Sequence, residues 1–242
     1  MSHYRDYWNY YAGANEPRSD YWPGDEWGAP DTWARVFQHL FIAHGVTNWT
    51  KCVEIGAGSG KYTIKVLESS RAEILAADVS AAYQSHFCAR LDQAGLLDRV
   101  TPLILGNESR VLRRAIEAKG WDGALDAFYS IDAMVHVDLQ HLIAYFITAA
   151  ATLRPGGKLI MTLANCCSDA GFEKLIRDVP DEFARAGQLT AKFEWMAPDQ
   201  VNVILPKLGF SIDLLRTQGR DMWLVATLAT PLRDLRLLGA IA

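Results

Sequence analysis

From Lys51 onward the chain alternates between short apolar runs and stretches in which apolar residues recur at helical spacing. "KCVEIG", "AEILAADVS", "RVTPLILG", "LDAFYSID" and "GKLIMTLAN" read as strands. Between them "GKYTIKVLESS", "AAYQSHFCARLDQAG", "ESRVLRRAIEAKG" and "DLQHLIAYFITAAATLRPGG" read as helices, the last closed by Pro155, Gly156 and Gly157. The strands are apolar almost without interruption, as strands are when both faces are covered. The β-α repeat therefore predicts an α/β fold with a doubly wound, mostly parallel sheet. After the fifth strand the rhythm changes. Residues 166–195 read as a helical insertion around "FEKLIRDVPDEFARAG". "APDQVNVILPKLG" reads as a helix that Pro206 ends or kinks. "FSIDLLRTQ" and "MWLVATLA" are strands joined only by "GRD". So short a join predicts an antiparallel C-terminal hairpin that brings the sheet to seven strands.

The beginning of the chain is different. "YRDYWNYYAGANEPRSDYWPGDEWGAP" is crowded with Tyr and Trp, broken by Pro and Gly, acidic and without a clear period. It predicts irregular structure with one short helix, too aromatic to be disordered. "PDTWARVFQHLFIAHG" places Trp33, Val36, Phe37, Leu40 and Phe41 at helical spacing, with Asp31 as cap and Gly45 as stop. The expected division is an aromatic arm and helix over residues 1–45 and a ligand-binding core over residues 46–242.

Composition narrows the partners. Of 242 residues, 50% are hydrophobic and 21% charged, ordinary for a soluble globular chain. A net charge of −4 without a basic stripe speaks against nucleic acid. Cys52, Cys88, Cys166 and Cys167 contain no CxxC pair, which suggests buried free thiols in a reducing cytoplasm. The longest apolar run, Leu142 to Leu153, is too short to span a bilayer, and "MSHYRDYWNYY" lacks the apolar core of a signal peptide. The expectation is a cytoplasmic protein that does not use a membrane.

"KCVEIGAGSGKYT", Lys51 to Thr63, carries the first chemical signal: a buried strand, a glycine-dense turn and a helix start, which bring backbone amides close to a ligand. A triphosphate loop fails at two positions. Ile55 stands where its first glycine should be, and Tyr62 where a Mg²⁺-binding hydroxyl belongs. The dinucleotide fingerprint G-x-G-x-x-G is missed by one position, because the glycines are Gly56, Gly58 and Gly60, followed by Lys61. The stretch Glu54-Ile55-Gly56-Ala57-Gly58-Ser59-Gly60 resembles the first motif of class I S-adenosylmethionine-dependent methyltransferases, E/D-x-G-x-G-x-G. Asp78 at the end of "ILAADVS", Asn107-Glu108 after the third strand, "LRPGGKLIM" and the closing hairpin follow in the family's order over roughly residues 45–230. The resemblance implies a Rossmann-like sheet and S-adenosylmethionine as cofactor. Glu54, Gly56, Gly58, Gly60, Asp78, Asn107, Glu108 and Asp132 would then bind it. Glu54 or Asp132 would face the ammonium, Asp78 the ribose hydroxyls, and Asn107-Glu108 the adenine. Asp78 has a second reading as a cap of the next helix.

A sulfonium makes its methyl group electrophilic, so the protein has chiefly to hold a nucleophile in line and exclude water. A base is needed only for an acceptor that arrives protonated. His136, in "YSIDAMVHVDLQHL" at the end of the fourth strand, is the candidate base, with local packing as its other reading and His141 as a weaker candidate. No Asp-Asn pair occurs, and no metal is expected. No N-P-P-Y-type tetrapeptide follows the fourth strand, which speaks against protein- or tRNA-directed transfer. Tyr11, Trp22, Trp27, Met134 and Asn165 are the expected substrate contacts, with the arm as a lid. Its rings and carboxylates suit sugars and cations better than anions. The predicted activity is methyl transfer to an oxygen or nitrogen of a small hydroxylated or glycosidic metabolite. An NAD(P)-dependent oxidoreductase and a non-catalytic S-adenosylmethionine-binding protein stay open as alternatives. Exposed aromatics in the arm suit a homodimer contact equally well.

Overall fold

The computed structural model describes residues 2–18, 20–106, 110–184, 192–232 and 239. In chain order the elements are α1 Ser2–Ala14, α2 Pro30–Leu40, β1 Lys51–Ile55, α3 Lys61–Ser69, β2 Glu73–Asp78, α4 Ala81–Gln93, β3 Val100–Ile104 and α5 Arg110–Ala118. There follow β4 Leu125–Ser130, α6 Leu139–Thr152, β5 Leu153–Ala164, α7 Asp169–Ala184, α8 Pro198–Lys207, β6 Phe210–Arg216 and β7 Asp221–Leu228. They build one seven-stranded sheet in the order β3-β2-β1-β4-β5-β7-β6. The first five strands are parallel, while β7 runs antiparallel to β5 and β6 antiparallel to β7. The doubly wound sheet and the antiparallel closing pair are those expected from the hydrophobic pattern.

Strand alternation explains the continuous apolar runs. Val53, Leu75 and Phe128 point into one core cluster, and their neighbours Cys52, Ile74 and Ala127 into the other. Both faces are buried, so no polar side of the strands exists to break the run. The order reverses between β1 and β4, and in such sheets the crevice at the carboxyl ends of those strands is where ligands bind.

Four local expectations are corrected. The arm is more regular than its sequence pattern suggested, because α1 runs for 13 residues. Tertiary contact holds it on α4: Ala12 is fully buried, and the Asn9 Oδ1 accepts from Ser80 Oγ and from the Ala82 amide. The α6 helix stops at Thr152, and "LRPGG" is extended as the start of β5, where Leu153 pairs with Leu125. Pro155 disfavours helical geometry at Arg154, so the helix ends before the proline rather than at the glycines. Asp31 is not the cap of α2; Ala29 occupies that position, and Pro30 fits the first helical turn, where a missing N–H costs nothing. Of the cysteines only Cys52 is buried, and Cys167 is exposed. No helix among the described residues is long and apolar enough to cross a membrane.

Candidate functional site

The glycine turn follows β1 directly. Gly56 (φ 70°), Gly58 (φ 53°) and Gly60 (φ 84°) all take left-handed backbone, which β-carbons resist. At Gly56 a β-carbon would also overlap that of Ala133, so β1 and the β4 end approach only because residue 56 has none. Asp78, at the tip of β2, locks the turn: its Oδ2 accepts from the Gly58 amide at 2.9 Å and its Oδ1 from the Ser80 amide at 2.9 Å. Charged hydrogen bonds of this kind contribute ~1.5–3 kcal/mol each. The cap of α4 is Ser80, whose hydroxyl accepts from the Tyr83 amide, so Asp78 does not have that duty. Burial raises the Asp78 pKa, against the pull of its amide donors.

Glu54 is buried on β1, two residues before Gly56. Its Oε2 accepts from Thr63 Oγ1 at 2.5 Å and from the Tyr129 hydroxyl at 3.0 Å. Desolvation dominates, and its carboxyl is pushed up to about 7. Asp132 takes φ 62°, the one non-glycine with positive φ among the described residues, and its amide donates to Thr162 Oγ1. Such strain concentrates at functional sites. Burial raises the Asp132 pKa, against the attraction of Lys61.

Glu54, Gly56, Gly58, Asp78, Asp132, Met134 and His136 line one cavity of about 130 Å³. The arm forms its roof. Ser59 Oγ donates to the Pro23 carbonyl, and Lys61 Nζ to the carbonyls of Gly24 (3.2 Å) and Trp27 (3.3 Å). Arg90 on α4 grips both carboxylate oxygens of Asp25, at 2.9 and 3.1 Å. Trp8 and Trp27 complete the wall. The Tyr83 hydroxyl is buried here without a hydrogen-bond partner among the described residues, which costs ~1–3 kcal/mol until something pairs with it.

A second cavity of about 690 Å³ lies against the first. Trp8, Trp27, Tyr62, Asp132 and His136 line both, so they mark the junction. The larger space is walled by rings from α1, α2, β7 and the 192–197 segment, among them Tyr7, Tyr11, Trp33, Phe193 and Trp223. His136 sits between the rings of Trp8 (5.1 Å) and Phe193 (5.0 Å). Its Nδ1 lies 2.8 Å from the Lys192 carbonyl, which only accepts, so Nδ1 carries the proton and a neutral ring leaves its lone pair on Nε2. Burial lowers the His136 pKa to about 4.

No protein-family model matches the sequence, and no curated protein matches it. Solved structures do. The magnesium protoporphyrin IX methyltransferase of Synechocystis PCC 6803, determined with bound S-adenosylhomocysteine, is 18% identical, with TM-score 0.63, over 92% of this chain and 97% of that one. The geranyl diphosphate C-methyltransferase of Streptomyces coelicolor A3(2) is 12% identical, with TM-score 0.60, over 94% and 99%. A protein described as a sarcosine dimethylglycine methyltransferase from Galdieria sulphuraria is 16% identical, with TM-score 0.56; 77% of this chain matches and spans 63% of that one. The fold is that of the class I methyltransferases.

Within the methyltransferase fold the structure brings most of the predicted residues together, but not all. Gly60 lines neither cavity. A β-carbon there would come within 2.7 Å of the Leu91 side chain, so the glycine serves the packing of α3 on α4. Trp22 also lies outside both cavities, with its ring against the Arg90 guanidinium at 5.8 Å. Asn165 is fully buried and clips the β6–β7 turn, donating to the carbonyls of Thr217 (2.7 Å) and Gly219 (3.2 Å). Tyr11 lines only the larger cavity and donates to Glu26. His141 lines the smaller one and is held by Asp138, which caps α6. Asn107 and Glu108 lie outside the described residues. Sequence reasoning missed Trp8, Lys61, Tyr83 and Arg216. Only the oddity of a lysine after the third glycine pointed to one of them.

Proposed function

We propose that this chain transfers a methyl group from S-adenosylmethionine to an oxygen or nitrogen of a small hydroxylated molecule. One observation carries the reading: a glycine turn clamped by a buried aspartate opens, across a shared wall, onto a larger ring-lined cavity with a neutral histidine at the junction. The residues present fit the cofactor. Asp78 offers a carboxylate to a ribose, Glu54 and Asp132 offer negative charge to an ammonium, and the Tyr83 hydroxyl has a hydrogen bond still to make. When bound, S-adenosylmethionine supplies an electrophilic methyl group.

The chain's own residues do the rest. His136, with its pKa lowered to about 4, stays neutral near pH 7. With Nδ1–H committed to the Lys192 carbonyl, Nε2 is an acceptor, so His136 orients a nucleophile that still carries hydrogen, a hydroxyl or an amine. It takes that proton as the acceptor becomes methylated. Trp8, Trp27 and Phe193 exclude water around it. Residues 1–45 act as a lid over the core of residues 46–242. The smaller cavity is below the ~300–1,000 Å³ usual for ligand sites, so the lid has to lift for a nucleoside to enter.

Calorimetric titration with S-adenosylhomocysteine and with NAD(P)H, on wild type and Asp78→Ala, tests the reading. Micromolar binding of S-adenosylhomocysteine alone, lost in the variant, is expected. Binding of NAD(P)H instead would sink it. The lid is tested by deleting residues 1–28, and unchanged turnover in a folded protein would argue against it.

A further inference from the structure

The charges around the larger cavity are not evenly committed. Of its three carboxylates, Asp221 is paired with Arg220 at 2.6 Å. Glu26 accepts from the hydroxyls of Tyr11 and Tyr21 and from the Gly24 amide at 2.7 Å. Asp132 feels the positive charges of Lys61 and Arg220 and the negative charge of Asp221. The remaining cation is Arg216, whose guanidinium stacks over Trp223 at 4.8 Å. It is exposed at the cavity's edge and has no carboxylate partner among the described residues. It lines only the larger cavity, whereas His136 stands at the junction with the smaller one, so the guanidinium and the acceptor nitrogen face one shared space. Asn165 holds the turn that follows Arg216 in place.

The walls of that space are aromatic. Trp8 and Tyr11 pack on Trp27 at 5.4 and 5.3 Å and form one aromatic surface, and a flat ring stacks on such a surface in offset or edge-on contact at ~4.5–7 Å. About 690 Å³ has room for two or three fused rings. A stacked arginine keeps its fork of donors for a carboxylate, which it binds in bidentate fashion.

Building on the methyltransferase reading, we infer that the acceptor is a flat, ring-bearing carboxylate whose acid group meets Arg216 and whose hydroxyl or amine meets His136. A phosphate matches less well, because its second charge would need Arg220, which Asp221 already holds, and would face the carboxylates of Glu26 and Asp132. This reverses the expectation, drawn from the acidic arm alone, that anions fit poorly. In the folded chain Glu26, the arm's carboxylate on this cavity, already accepts from Tyr11, Tyr21 and the Gly24 amide.

The test uses the full chain and its tryptophan fluorescence. A hydroxynaphthoate and the matching naphthol are titrated into wild type, Arg216→Gln and Arg216→Lys, with and without S-adenosylhomocysteine. Wild type should prefer the acid by roughly tenfold, the effect of one charge-assisted contact. The preference should vanish in Arg216→Gln with naphthol binding unchanged, and survive in part in Arg216→Lys. Equal binding of the two compounds by wild type, a preference that persists in Arg216→Gln, or binding of neither would overturn the inference. The cofactor reading is scored separately by S-adenosylhomocysteine calorimetry. If that ligand binds and the acid preference fails, only this inference falls. If it does not bind, the methyltransferase reading falls whatever the naphthoate does.

Discussion

Glu54 offers a quantitative test of the cofactor cavity. Burial lifts its carboxyl from 4.5 to about 7, despite hydrogen bonds from Thr63 and Tyr129 that favour the charged form. That rise corresponds to about 3 kcal/mol in favour of the neutral acid. The native state therefore holds a proton that the unfolded chain releases. The associated stability is fully present below pH 4.5 and is lost as pH rises through about 7. A ligand ammonium beside Glu54 reverses the balance, because an opposite charge in a dry site favours the carboxylate. Binding of S-adenosylhomocysteine should then expel a proton below pH 7. Its affinity should rise about tenfold per pH unit from about pH 5 to pH 7 and level off above. Titration in two buffers of different ionisation enthalpy at about pH 6 should count nearly one proton released per ligand. In Glu54→Gln the release and the pH slope should disappear and affinity at pH 8 should fall. The same variant, without ligand, should unfold at a higher temperature than wild type at pH 8, since no buried carboxylate is forced to ionise. A wild-type protein that releases no proton, or a Glu54→Gln variant that releases the same number, would refute the placement of the ammonium.

Three further outcomes follow from the geometry. His136, lowered from 6.5 to about 4, contributes stability that is complete above pH 6.5 and lost as pH falls through about 4, an effect of about 3 kcal/mol. Denaturant unfolding of wild type and His136→Phe across that range should show a difference that shrinks with acid, and the Glu54 contribution cancels between the two. The same substitution should lower turnover about a hundredfold if the imidazole takes the acceptor's proton. Gly56→Ala should destabilise by about 2–4 kcal/mol, from left-handed backbone and overlap with Ala133, and should abolish S-adenosylhomocysteine binding. A loss below about 0.5 kcal/mol would contradict it. Asn165→Ala should cost about 1–3 kcal/mol and weaken acceptor binding while cofactor affinity holds, because it frees the turn beside Arg216 rather than the glycine turn. Equal losses for both ligands would count against that division.

Much of the molecule was legible along the chain because the relevant forces are local. Apolar continuity of "CVEI", "ILAA" and "AFYS" reports burial of both sheet faces, and strand length is set within each segment. Three glycines in alternation report a backbone that must pass through left-handed geometry, and Asp78 at a strand tip sits two residues from the Ser80 amide, from which it accepts. Other assignments failed because a side chain's role depends on elements distant in sequence. Asn165 resembled a pocket residue until the β6–β7 turn supplied carbonyls 52 and 54 positions away. Trp22 resembled a stacking platform until α4 placed Arg90 over it. Trp8 reaches His136 only because α1 lies on α4, and no local period announces that docking. How the charges around the larger cavity are partnered is a tertiary property too. The acidic arm is visible in the sequence, but only the fold pairs its Glu26 with tyrosine hydroxyls, pairs Asp221 with Arg220, and leaves Arg216 without an opposite charge among the described residues.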